Sequence, residues 1–65
     1  MEFKTREIKI LNLLANGLSD KEIAQKLHVS EATIKANVMT LKRILGAENR
    51  QNLVYIACQK ELIKI

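Results

Sequence analysis

The 65-residue chain has no proline, no tryptophan, one phenylalanine, one tyrosine, one cysteine and two glycines. Without proline, no residue is obliged to break a helix, and with so few aromatics the usual vocabulary of strands is thin. A lone Cys58 excludes an internal disulfide, and no Cys/His spacing suits zinc. The longest uninterrupted apolar run, Leu53 to Cys58, falls far short of the ~20 residues that a membrane span needs. The N-terminus lacks the apolar segment of a signal peptide, so the expectation is a soluble protein of a reducing cytoplasm. No paired carboxylates, Cys–His couple or glycine-rich phosphate loop is present, which argues against an enzyme. No catalytic residue, metal or cofactor is therefore expected.

What remains is the composition of a small helical domain. Apolar residues make up 48% of the chain, mostly Leu, Ile and Ala, which are compatible with helix. At this length a single core buries only about 60% of the unfolded surface, so self-association would add stability. The expected fold is an all-α, four-helix domain spanning 1–65, with helices at about 5–15, 20–27, 31–45 and 50–61.

Two helix-start signals, Ser19 and Ser30, organise its centre. Ser19 and Glu22 have the Ser-x-x-Glu spacing in which hydroxyl and carboxylate each satisfy an unpaired backbone N–H. Leu18 and Ile23 suit the flanking hydrophobic staple. Ser30 repeats the start with Val29 and Ile34, although Thr33 stands where Glu or Gln is preferred. Leu27, His28 and Val29 are left to turn the chain, the signature of a helix-turn-helix. His28 suits the left-handed residue such a turn requires, His being enriched there among non-glycine types. Ile10, Leu11, Leu14 and Ala15 form the inward stripe of the first helix, and Asn16-Gly17 its stop. Ile23, Ala24 and Leu27 serve the second helix. Ile34, Val38, Leu41 and Leu45 keep one apolar face along the third, which Gly46 ends, and Asn49 caps the fourth.

The net charge of +4 is unevenly placed. Residues 1–34 hold five cations and five acids, whereas residues 35–65 hold six cations and two acids. The excess begins inside the third helix, where Lys35, Lys42 and Arg43 lie in a stretch without an acid. A basic stripe on the helix after a tight turn points to a polyanion partner.

Arg6-Glu7, Ile10-Leu11, Leu14-Ala15, Gly17-Leu18-Ser19, Lys21-Glu22-Ile23-Ala24, Leu27, Ser30, Thr33-Ile34-Lys35, Leu45-Gly46 and Asn49-Arg50 together resemble the DNA-binding domain of LuxR/GerE-type bacterial transcription regulators. The resemblance covers about residues 3–63. It implies a third helix in the major groove of double-stranded DNA and a fourth helix that pairs two copies as a homodimer. Some positions depart from the family pattern. Lys4 replaces a common Thr cap, so the box with Glu7 is expected to be lost, with Thr5 capping one residue later and the end fraying. Asp20 stands for a usual Asn, Asn37 for a frequent His, Ala47 for Val, and Glu61 for a common Gly, where it is expected to lengthen the fourth helix by a turn.

On the third helix the face away from the core presents Glu31, Lys35, Ala36 and Met39 as base-reading candidates. Lys35 can donate to guanine O6 or N7, while Ala36 and Met39 can meet a thymine methyl. Phosphate candidates are Lys21, Ser30, Thr33, Thr40, Lys42 and Arg43; Arg50 either extends this track or pairs internally with Glu7. The fourth helix has apolar groups on more than one face, and Val54, Tyr55, Cys58 and Leu62 are candidates for the dimer contact. The alternative to a DNA-binding regulator is an interaction module that contacts RNA polymerase or another regulator through the fourth helix. A start Met closely followed by Phe3 favours a stand-alone regulator over an excised C-terminal domain.

Overall fold

A computed structural model describes residues 3–63, which form α1 (Thr5–Ala15), α2 (Asp20–Leu27), α3 (Glu31–Leu45) and α4 (Arg50–Gln59). The fully buried large side chains are Ile10 and Leu11 of α1, Ile23 of α2, Ile34 and Leu41 of α3, and Leu53 of α4. Each removes roughly 1.5–3 kcal/mol of apolar surface from water. Ala15, Leu27 and Leu45, expected in the inward stripes, are half-buried at the rim of the same core. Helices α1 and α3 each pack against all the others, whereas α2 and α4 do not pack on each other. Among the described residues no helix is long and apolar enough to cross a membrane.

The helix starts follow the side chains at hand. Ser19 Oγ accepts the Glu22 N–H at 3.2 Å, and Glu22 Oε1 accepts the Ser19 N–H at 2.9 Å. At Ser30 the hydroxyl accepts the Thr33 N–H at 3.1 Å and lies 2.8 Å from the Thr33 hydroxyl, which bonds the cap side chain and not, as a carboxylate would, the cap N–H. Asn49 Oδ1 accepts the Asn52 N–H at 2.8 Å, and Asn52 Oδ1 accepts the Glu48 N–H at 3.0 Å. The start of α1 corrects the sequence expectation. Thr5 is the first helical residue rather than the cap, and half of the box survives, with Glu7 Oε1 accepting the Lys4 N–H at 2.8 Å. The lysine ammonium has no lone pair with which to complete the other half.

All four helices stop in the same way, with a left-handed residue just past the last turn: Gly17, His28, Gly46 and Glu61. The residue after each stop donates back to a carbonyl five positions earlier. These bonds run from Leu18 to Leu13 (3.2 Å), Val29 to Ala24 (3.1 Å), Ala47 to Lys42 (2.8 Å) and Leu62 to Ala57 (2.9 Å). They satisfy carbonyls that would otherwise face no donor. The expectation for position 61 is thereby corrected: α4 ends at Gln59, and Glu61 (φ 58°) takes the backbone conformation that a glycine would hold instead of prolonging the helix.

Two tests follow from these ends. A side chain in the left-handed region costs roughly 1–2 kcal/mol, and glycine returns part of that through the entropy of the unfolded chain. Glu61→Gly should therefore raise stability by roughly 0.5–1 kcal/mol. Gly46→Ala should lower it by about 1 kcal/mol, a purely backbone effect because an added Cβ meets nothing within 4 Å. Thermal denaturation followed by circular dichroism reads both, and shifts of the same sign would contradict this account. The second test concerns acid. The Ser19 backbone N–H, and secondarily its hydroxyl, hold the Glu22 carboxyl below the usual range. A depressed carboxylate pKa stabilises the fold above its unfolded value, and that contribution is lost as pH falls through the folded value. Glu22→Gln should flatten the loss of stability below about pH 4.3, measured by urea denaturation at a series of pH values.

Candidate nucleic-acid interface

The outer side of α3 is divided by helical spacing into two strips. Glu31, Lys35, Met39 and Lys42 run along one, and Ala36, Thr40 and Arg43 along the other. Neither strip reaches the buried line of Ile34, Val38 and Leu41. Met39 is 60% exposed, so its thioether is displayed rather than packed against α4. Ala36, Thr40 and Arg43 are exposed, while Lys42 is half-buried where α3 faces the start of α4.

Lys35 Nζ lies 3.4 Å from Glu31 Oε2, with the two side chains 62% and 45% exposed. An exposed pair of this spacing is worth about 0.3–0.5 kcal/mol, too little to hold the ammonium when a stronger acceptor arrives. The two base-reading candidates thus restrain one another one turn apart. At the start of α3, the Ser30 and Thr33 hydroxyls bond to each other while the helix presents its free N–H groups and the positive end of its dipole. Lys21 is exposed in the first turn of α2, next to Asp20.

A cleft between the helices collects Lys35, Val38, Met39 and Lys42 of α3 with Asp20 of α2 and Arg50 of α4. Within it the Arg50 guanidinium pairs with the Asp20 carboxylate. This corrects the expectation of a Glu7 partner. Glu7 is occupied by the Lys4 N–H at the start of α1, whereas the first residues of α2 and α4 converge beside α3. The pairing escaped the sequence because it joins residues thirty positions apart on helices that share no apolar contact. The only sequence signals were an acid at the first position of one helix and a base at the first position of another.

The four candidates for a contact between copies are less uniform. Tyr55 is 59% exposed, and its Oη accepts from Gln59 Nε2 at 2.9 Å. Val54 is half-buried and lines an apolar groove with Leu14, Ala15, Leu18, Arg50 and Gln51. Cys58 is half-buried on the last turn of α4. Leu62 is half-buried too, but lies beyond the helix in the turn set by Glu61, so it does not continue the line of Tyr55 and Cys58. The exposed apolar side chain of Ile44 (40%) was not anticipated as a surface group; helical spacing alone places it at the edge of the core stripe.

Residues 2–57 match the family model described as bacterial regulatory proteins, luxR family. The chain is 41% identical over 59 residues to the oxygen regulatory protein NreC of Staphylococcus aureus strain JH9, a match covering 91% of this chain and 27% of that protein. The same figures hold for NreC of strain USA300. Among solved structures it is similar to the response regulator ChrA of a heme-sensing two-component system, with a TM-score of 0.93 and 40% identity over 97% of this chain and 31% of that one. The chain spans less than a third of the length of these relatives.

Proposed function

The chain belongs to the luxR family of bacterial regulatory proteins, and from that membership we propose that it binds double-stranded DNA as a homodimeric transcription regulator of the bacterial cytoplasm. In this reading α3 enters the major groove and α4 pairs two copies. The observation that carries it is the exposed strip of Lys35 and Met39, flanked by Ala36, in the turns directly after the Ser30 cap. The early turns of a recognition helix are the part that reaches base edges. Lys35 supplies a donor for guanine, and the methyl of Ala36 and thioether of Met39 supply apolar contact for thymine. Glu31 orients Lys35 before binding. Ser30, Thr33, Lys21, Thr40, Lys42 and Arg43 surround the strip as phosphate ligands, which fix register without reading sequence.

The dimer reading rests on α4, whose apolar groups exceed what the core takes in. Leu53 and Ala57 are buried, leaving Val54, Tyr55 and Cys58 partly or fully open. The exposed Tyr55 also suits the alternative, a module that contacts RNA polymerase. The two readings differ in salt dependence, since only DNA binding releases condensed counterions.

Lys35→Ala should weaken binding to selected sites by about 1–3 kcal/mol and leave random DNA nearly unaffected. Lys21→Ala should weaken both and make the salt slope shallower by about 1. Gel shifts on sites enriched from random DNA check this, and equal losses from both variants on both kinds of DNA would remove the assignment. Val54→Asp should abolish the dimer in sedimentation experiments and reduce DNA affinity while leaving helical content unchanged. A parent protein that binds DNA fully as a monomer would refute the dimer reading.

A further inference from the structure

The Asp20–Arg50 pair occupies an unusual place for an ion pair that merely joins two helices. It lies in the same cleft as Lys35, Met39 and Lys42, on the side of α3 assigned above to DNA. The Arg50 side chain is 41% exposed there, while that of Asp20 is only 19% exposed. The base thus faces outward and the acid sits behind it. An arginine fork binds phosphate in two parallel hydrogen bonds, as it binds a carboxylate. One guanidinium cannot serve both acceptors with the same donors.

Resting on the DNA-binding reading of this face, we propose that Asp20 is an internal competitor for Arg50. It holds the guanidinium in the free protein and yields it to a backbone phosphate when DNA docks. Asp20 is suited to release its partner because it opens α2, where the helix dipole and unpaired N–H groups favour a negative charge. The exchange subtracts from affinity on every DNA sequence alike, because phosphates carry no sequence information. It therefore lowers non-specific binding in the same proportion as specific binding, and sets how tightly the protein holds DNA without altering which bases α3 reads.

Because phosphate contacts are independent of sequence, a short mixed-sequence duplex is a sufficient probe, titrated with the full chain by fluorescence anisotropy at several salt concentrations. Asp20→Asn keeps the shape but not the charge. It should tighten binding about 2- to 5-fold, the worth of a partly exposed ion pair, and leave the slope of log K against log salt unchanged, because parent and variant finish on the same phosphate contact. Arg50→Gln, which loses that contact, should instead make the slope shallower by about 0.9. The cycle is closed by Arg50→Gln and the double variant, in which the Asp20→Asn effect should vanish. Asp20→Ser, which also keeps a polar group able to start α2, provides a second version of the test, and circular dichroism confirms the fold of each variant. An unchanged affinity in Asp20→Asn, or an unchanged slope in Arg50→Gln, overturns the proposal. So does an equal gain in the Arg50→Gln background, which would mark a general charge effect. Failure of the parent to bind any duplex would remove the DNA reading itself, and this proposal with it, whereas binding with no effect at Asp20 removes only the competition.

Discussion

The direction in which α3 leaves α2 is decided by three residues, His28, Val29 and Ser30, and chiefly by the left-handed backbone at His28 (φ 58°, ψ 43°). The rest of the molecule is arranged around that corner. The turn brings Ile23 and Ala24 of α2 into one core with Ile34 and Val38 of α3. It places Ser30 where its hydroxyl can close the first turn of α3, and it turns Lys35 and Met39 outward on the opposite side. An extended residue at position 28 would send α3 away from α2 and expose the apolar surface on both. The candidate face is in this sense a by-product of burying the other face.

The surface opposite the core combines strong and weak restraint. Apolar burial fixes the axis of α3, while the charged groups on its outer side are held only by exposed or partly buried partners: Lys35 by Glu31, and Arg50 by Asp20. The exposed Lys35–Glu31 pair organises its side chains in the free protein at small cost to their later reorientation, whereas Asp20 is largely covered and holds Arg50 more closely. On the proposed reading, a rigid helix with adjustable cations suits DNA, whose groove admits a helix and whose phosphates vary in position with sequence.

Most of the fold was legible because its determinants are local. Ser19 with Glu22, Ser30 with Thr33, Asn49 with Asn52, and the stops at Gly17, His28 and Gly46 each depend on residues within five positions of one another. The buried stripes followed from a helical period that three dimensions merely completed. Besides the half-box that Glu7 keeps at the start of α1, two features were not legible. Glu61 sits in a conformation that its side chain disfavours, so residue type argued for a longer helix; the core position of Ile63 and the return bond from Leu62 decide otherwise. The Asp20–Arg50 pair depends on how α2 and α4 are placed by their separate contacts with α1 and α3, which no short window of sequence records. On the candidate site, the exposure of Lys35, Ala36 and Met39 could be read from the period of α3. The α4 surface could not, because its apolar residues surround the helix and only packing shows which are covered.

The stops at Gly17, His28, Gly46 and Glu61 have a consequence for how the chain finds its structure. Every hydrogen bond that closes a helix end, at either terminus, spans five residues or fewer. The hydrogen bonds at each helix end therefore need no distant partner, although the stop of α4 also draws on the core position of Ile63, and the later search joins segments whose ends are largely set. Proteins dominated by such near contacts fold on the order of microseconds to milliseconds. The chain spends little time with its apolar stripes open to other chains.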